Sequence, residues 1–433
     1  MSTSNKNNLV ALLIVNLSIL PISLSSNTAV AGLTQNIEEA LNFHNKKNDY
    51  GVIKFDIMYR YENVNQDAGT QQTANANTAS LRLGYLTPLY HNFQAYAEYE
   101  GNLAMQDDYN NGLPNGNANY SKIPDPTRNE LNQFWFTYTG LTDNTLKFGR
   151  QHIKLDDERY IGNAPWRQMR ISYDGVMITN KNKILPNLTT NFGYIANAQM
   201  ANSLTDNMES PLLNFNYKMG NYGNVVTYGY WLDYTEQANY EKSNQNYGVR
   251  VACCTKPLDS IKLNDNFGLV YTAEYSHQSN YGHGLTAYDV DRYNVMGGFS
   301  AYNLIFEGAM EQLGGTGTNK TFDFPLSSLH AFQGWADLFL QTPSNGIRDI
   351  FGSVLVPFQQ GDLVFSGIYH TYSDDTGRFN YGDEWDMQVV KKFGKHYSLL
   401  TKYAYYGKGD NNLLGGFQST DTQKIWVQGN INF

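Results

Sequence analysis

KIWVQGNINF, Lys424 to Phe433, closes the chain, and its parity decides the fold. Ile425, Val427, Gly429, Ile431 and Phe433 fall on one parity, whereas Lys424, Trp426, Gln428, Asn430 and Asn432 fall on the other. Successive side chains of a strand point to opposite faces, so this segment has one apolar-to-small face and one mostly polar face. The same alternation recurs upstream. In GVIKFDIMYRYE, residues 51–62, Ile53, Phe55, Ile57, Tyr59 and Tyr61 alternate with Lys54, Asp56, Met58, Arg60 and Glu62. It returns in FQAYAEYE, residues 93–100, and at Tyr397, Leu399, Tyr403 and Tyr405. Period two dominates from end to end. Only residues 34–44 read as helix, with 328–340 as a weaker second segment.

Such strands need an apolar environment on one side. The mean hydropathy is −0.49, with 33 tyrosines, 38 glycines and 12 prolines, and the apolar residues are scattered. Beyond the N-terminus no stretch approaches the roughly 18 to 20 apolar residues of a spanning helix. The apolar clusters of a multidomain soluble protein are missing too. Within a bilayer every backbone N–H and C=O must be paired, and among sheets only a closed barrel leaves no open edge. The Ile425, Val427, Ile431 and Phe433 face therefore meets lipid, and Gln428 and Asn430 meet a wet lumen. Tyrosines at strand ends suit the interfacial girdles.

Links between strands are short at TPLYHN, GLTDN and FGKH, and long at residues 63–77, 105–128, 153–171 and 313–346. Pairing across them predicts an all-β, transmembrane antiparallel β-barrel of about eighteen strands, with short periplasmic turns and long extracellular loops. The even count puts both termini in the periplasm. MSTSNKNN, the apolar LVALLIVNLSIL and the A-x-A site at Ala29–Ala31 predict a signal peptide over 1–31. A periplasmic segment over 32–50 and the barrel over 51–433 follow. The net charge of −9, one unit more negative without Lys6, argues against nucleic acid as a partner. A bridge between adjacent Cys253 and Cys254 is strained, so they read as small strand residues near a turn.

At GRQHIKLDDERYIGNAPWRQ, residues 149–168, the chain resembles the alginate-export-like outer-membrane porins, which are similar in turn to the eighteen-stranded substrate-specific porins. The match continues at ELNQFWFTYTG (130–140), LHAFQGWADLFLQTPSNGIRD (329–349) and YGDEWDMQVVKKFGKHYSLLTKYAYY (381–406). The resemblance implies a channel in the outer membrane of a Gram-negative bacterium, without by itself implying alginate. Its terminal Phe433 resembles the signal read by the barrel assembly machinery. Lipid and lipopolysaccharide would surround it, and its cargo would be a hydrophilic, anionic solute or an exported anionic polysaccharide. A barrel enzyme of lipase or protease type is the alternative, but no nucleophile stands beside a base in the sequence.

Residues 152–171 form the third long loop, which in many porins folds inward. Lys154, Arg159, Arg167 and Arg170 stand there against Asp156, Asp157 and Glu158. Two readings are open: opposed charges selecting solutes across a pore, or salt bridges pinning the loop to the wall. Arg150 shares the lipid-facing parity of Leu146 and Phe148, so either the strand bends at Gly149 or Arg150 sits near the rim. Lys54, Asp56, Arg60, Arg82, Glu98 and Lys402 take the lumen parity. Trp335 and Asp337, in the seventh loop, suit sugar stacking or a loop folded on itself. GGTGTNKT (314–321) lacks the spacing of a phosphate loop, acidic DDYNNG and SDDTG read as solvated loops, and no cofactor or metal is expected.

Overall fold

In a computed structural model, the protein is described over residues 27–433 except 46, 67–70, 114–115, 255–257, 359–360, 411–413 and 415. Eighteen strands form the wall: β1 Val52–Gln66, β2 Ala74–Leu86, β3 Phe93–Asp108, β4 Arg128–Tyr138, β5 Asn144–Gln151, β6 Ser172–Lys181, β7 Leu188–Gln199, β8 Thr205–Lys218, β9 Asn224–Leu232, β10 Asn244–Ala252, β11 Phe267–Asn280, β12 Asp289–Ala301, β13 Leu304–Leu313, β14 Ile347–Phe358, β15 Leu363–Ser373, β16 Asn380–Phe393, β17 Tyr397–Lys408 and β18 Thr422–Asn432. Each pairs antiparallel with the next, and β1 closes the ring on β18 from Asp56 opposite Asn432 to Gln66 opposite Thr422. A two-residue strand, Ile261–Lys262, folds onto the start of β11 within a turn and does not cross.

Side-chain burial follows the alternation. On β18, Lys424, Trp426 and Gln428 are buried inside, whereas Val427 is 44% exposed outside. Outward Tyr59, Leu83, Phe134, Phe192 and Phe299 extend the same apolar belt around the ring, as lipid requires. Long connections and short turns occupy opposite ends. The expected link over 63–77 is shorter, residues 67–73, because Asn63 and Val64 pair with Asn75 and Ala74 in the ladder.

Two local expectations need correction. Residues 328–340 are irregular apart from a 3-10 turn at Leu329–Ala331, since the third loop at Glu158 and wall carboxylates at Glu384 and Asp386 take backbone N–H groups that an i, i+4 ladder would use. Cys253 and Cys254, at the end of β10, are joined as a vicinal disulfide. Most of the expected leader lies outside the described residues, and helix α1, Asn27–Leu41, runs through Ala29–Ala31. That helix touches the barrel end through Glu38, which bonds His396 Nε2 at 2.7 Å and Lys395 Nζ at 2.5 Å.

The third and seventh loops, 152–171 and 314–346, meet inside the barrel. Ile161 bridges Leu326 in parallel, Gly162 N–H donates to Leu326 O at 2.9 Å, and Ser328 N–H donates to Glu158 O at 3.0 Å. Tyr160, Ile161, Phe322, Phe324 and Leu326 then pack against Ile195, Tyr228 and Tyr230 of the wall. Burying each large apolar side chain is worth about 1.5–3 kcal/mol, so a compact apolar core fills part of a lumen that would otherwise be open.

Candidate pore constriction

Two loops packed face to face still need fixing to the wall, and arginines do this. Arg159, 1% exposed, donates from Nε and Nη2 to the Glu311 carboxylate of β13, both at 3.2 Å, and from Nη2 to Gln333 Oε1 at 2.7 Å. Its guanidinium lies 3.8 Å over Phe324 and 4.3 Å over Phe332. Arg292 of β12 holds the same Glu311 at 2.6 Å and Glu274 at 2.9 Å. Buried charges are stable only when paired in this way. The contacts of Arg159 are those of the pinning alternative.

On the opposite side Arg60 donates to Trp166 O at 2.6 Å and Gln428 Oε1 at 2.8 Å, with its guanidinium 3.9 Å from the Trp166 ring centre. Arg82 bonds Glu100 at 2.5 Å, Asp56 at 3.0 Å and Gln168 O at 2.7 Å. Arg170 donates its backbone N–H to Glu100 Oε2 at 3.0 Å and faces Asp56 at 3.9 Å. Glu98 accepts from Asn132 and Gln133, both at 2.9 Å. Lys54 is exposed and stands 5.9 Å over Tyr96. Asp156 accepts from Asn214 at 2.8 Å, and Asp157 meets Arg250 at 3.3 Å.

Two features bear on the parity of Arg150. Gly149, at φ 109°, takes a backbone form that favours glycine, and Arg150 stands at the loop end of β5 in a 2.8 Å ion pair with Asp174 across the ladder.

Asp337, Trp335, His330 and Trp166 together line one stretch of the lumen cavity. Arg167 Nη2 bonds Asp337 Oδ2 at 2.7 Å, and Lys424 Nζ approaches the same oxygen at 3.5 Å. His330 Nδ1–H donates to Asp337 Oδ1 at 2.8 Å, while its Nε2 accepts from Lys402 Nζ at 3.0 Å. Burial keeps this imidazole neutral, well below its ordinary pKa, which fits that tautomer. Lys402 Nζ also sits between Trp166 and Trp335, 4.1 and 3.8 Å from their ring centres. Trp335 thus covers a lysine. From β16, Asp386 and Glu384 accept the backbone N–H groups of Trp335 and Ala336 at 3.0 and 2.6 Å.

Burial opposes the charge of Asp337, yet the His330 bond, Lys424 and Arg167 outweigh it and hold the carboxyl below the usual range. Because folding lowers its pKa, its stabilisation is complete above the unfolded value of about 3.9 and is lost only as pH falls below it. Asp337→Asn strands Arg167 and Lys424, and breaking such a buried set costs about 3–5 kcal/mol. Limited proteolysis should therefore cut the seventh loop of the variant at pH 7 while sparing the parent at that pH and at pH 5. Equal resistance of the two proteins would show that Asp337 does not hold the loop.

Past this knot runs a cavity of about 990 Å³, lined at the outer end by Gln66, Lys122 and Met200, and toward the periplasm by Ser353, Leu355 and Ser366. The sequence reading left out Trp166, His330 and Glu311. The tryptophan–arginine step in APWRQ and the histidine in LHAFQGWAD were the available signals.

Comparison with known proteins places this architecture. The sequence model described as alginate export matches residues 51–202. No curated protein matches the chain. Pseudomonas aeruginosa OpdQ superposes with a TM-score of 0.63 at 14% identity, covering 88% of this chain and 98% of its own. Acinetobacter baumannii OccAB3 gives 0.66 at 14% identity, over 88% and 99%. Pseudomonas aeruginosa OpdK, solved with vanillate, gives 0.64 at 12%, over 88% and 98%. At these identities the likeness is one of fold, that of eighteen-stranded substrate-specific outer-membrane porins.

Proposed function

We propose that this chain, a closed barrel of the Gram-negative outer-membrane porin architecture, is a passive channel for small hydrophilic solutes, with anions favoured at its constriction. The observation that carries this reading is a cavity of about 990 Å³ beside a plug made of two loops inside the barrel. Arg167, Lys402 and Lys424 line that cavity at the plug, and charges lining a narrow passage escape the screening that removes distant loop charges within about 8 Å. The packed third and seventh loops leave a lumen suited to small solutes better than to a polysaccharide chain. The match to the alginate export model keeps polymer export as the second reading. OpdQ, OccAB3 and OpdK share the fold and are porins, which supports a channel over a barrel hydrolase.

Planar-bilayer recording with purified protein tests the proposal. Stable single-channel steps, and a reversal potential shifted toward anions in a salt gradient, are expected. Absence of conductance from correctly folded barrel would refute it. Liposomes that release a uronate oligomer as fast as a monosaccharide acid would favour polymer export.

A further inference from the structure

A porin lumen is ordinarily polar, yet below the constriction part of this wall is apolar among serines and an acid. Met296 of β12, Phe351 and Leu355 of β14, and Ile368 of β15 all line the cavity, on the strand parity that also carries buried Arg292, Asp349 and His370. Apolar surface left in water costs about 25 cal/mol per Å², and an apolar wall inside a water-filled passage is therefore a feature that something apolar must use.

One carboxylate stands among these residues. Glu307 of β13 also lines the cavity, half-buried; its Oε2 accepts from Ser353 Oγ at 2.9 Å, and among the described residues no cation pairs with it. Three acids nearer the plug are paired: Glu311 with Arg159 and Arg292, Asp349 with His370, and Asp157 with Arg250. The ladder sets Glu307 between Gly298 and Ser353, with Phe351 and Leu355 two residues either side of Ser353 on the same face. A Cβ on Gly298 would come within 3.1 Å of Glu307 Cγ, so glycine keeps that flank of the acid clear. Along β13 Glu307 lies four residues from Glu311, about 13 Å at 3.3 Å per residue. It is thus a step beyond the plug.

We propose that this apolar wall with Glu307 is a subsite for an ammonium group carried on an apolar body, and that the solute is a small zwitterion with an apolar side chain. Its carboxylate meets the cations of the constriction and its ammonium meets Glu307 in turn, while the apolar body slides on Met296, Phe351, Leu355 and Ile368. The inference rests on the channel reading and refines it.

The test uses three probes on the intact protein in bilayers: phenylalanine, phenylpropionate, which lacks the ammonium, and alanine, which lacks the apolar body. Phenylalanine should interrupt the potassium chloride current at about tenfold lower concentration than either of the others, a difference of about 1.4 kcal/mol. Glu307→Gln should remove that advantage over phenylpropionate. Leu355→Ser should remove the advantage over alanine. A variant and parent with identical phenylalanine block, or phenylpropionate blocking as well as phenylalanine in the parent, would overturn the subsite. Loss of conductance in the parent itself would count against the channel reading instead.

Discussion

Arg159→Ala should raise the single-channel conductance, because one loop of the plug loses its tether to the wall. Arg159 is the side chain that touches both the wall, at Glu311, and the seventh loop, at Gln333. Removing one member of a buried pair costs about 3–5 kcal/mol, because the partner charge is left behind. Here Arg292 remains to neutralise Glu311, so the barrel should still fold while the loop loses its tether. Arg159→Lys should fall between the two, since an ammonium keeps the charge but cannot span both acceptors. Should the alanine variant conduct like the parent while its reversal potential moves toward cations, the arginine would be a selectivity charge and not a tether.

Phe433→Ala should lower the amount of folded protein in the outer membrane several-fold, as a loss of 1–2 kcal/mol commonly does for abundance. Phe433 exchanges backbone bonds with Phe55, at 2.9 and 3.1 Å, at the seam where β18 closes on β1. Its ring stacks on His396 at 4.0 Å and on Phe55 at 5.1 Å, and each aromatic pair is worth about 0.5–1.5 kcal/mol beyond area. Phe433→Tyr, which keeps the stack, should accumulate normally. Heat-modifiable barrel in outer-membrane fractions is the readout, and parental levels of the alanine variant would dismiss both the seam and the assembly-signal arguments.

Strand count and facing were legible because they are local: parity at Ile425, Val427 and Ile431 needs only neighbouring residues. The plug was legible only in part. The third loop carried its charges visibly, but that Arg159 would find Glu311, 152 residues away, has no trace in a single sequence, and arginine serves a pore wall and a clamp equally well. Trp335 and Asp337 drew attention as a sugar platform, whereas Trp335 covers Lys402 and Asp337 gathers Arg167, Lys424 and His330. The apolar lumen wall left one sign. In IFGSVLVPF, residues 350–358, both parities are apolar, which a strand with a wet face does not require.

The pairing of the third loop with the seventh also sets an order of events. Eight strands, β6 to β13, lie between them, so the third loop cannot dock until most of the barrel has been threaded into the bilayer. Contacts this distant in sequence form slowly, after the chain entropy between them has been spent. Until then Arg159, Tyr160 and Ile161 lack Glu311, Phe324 and Leu326, and the nascent ring encloses a wider hole than the finished one. The narrowing of the lumen is therefore completed only after β13 and the seventh loop are in place.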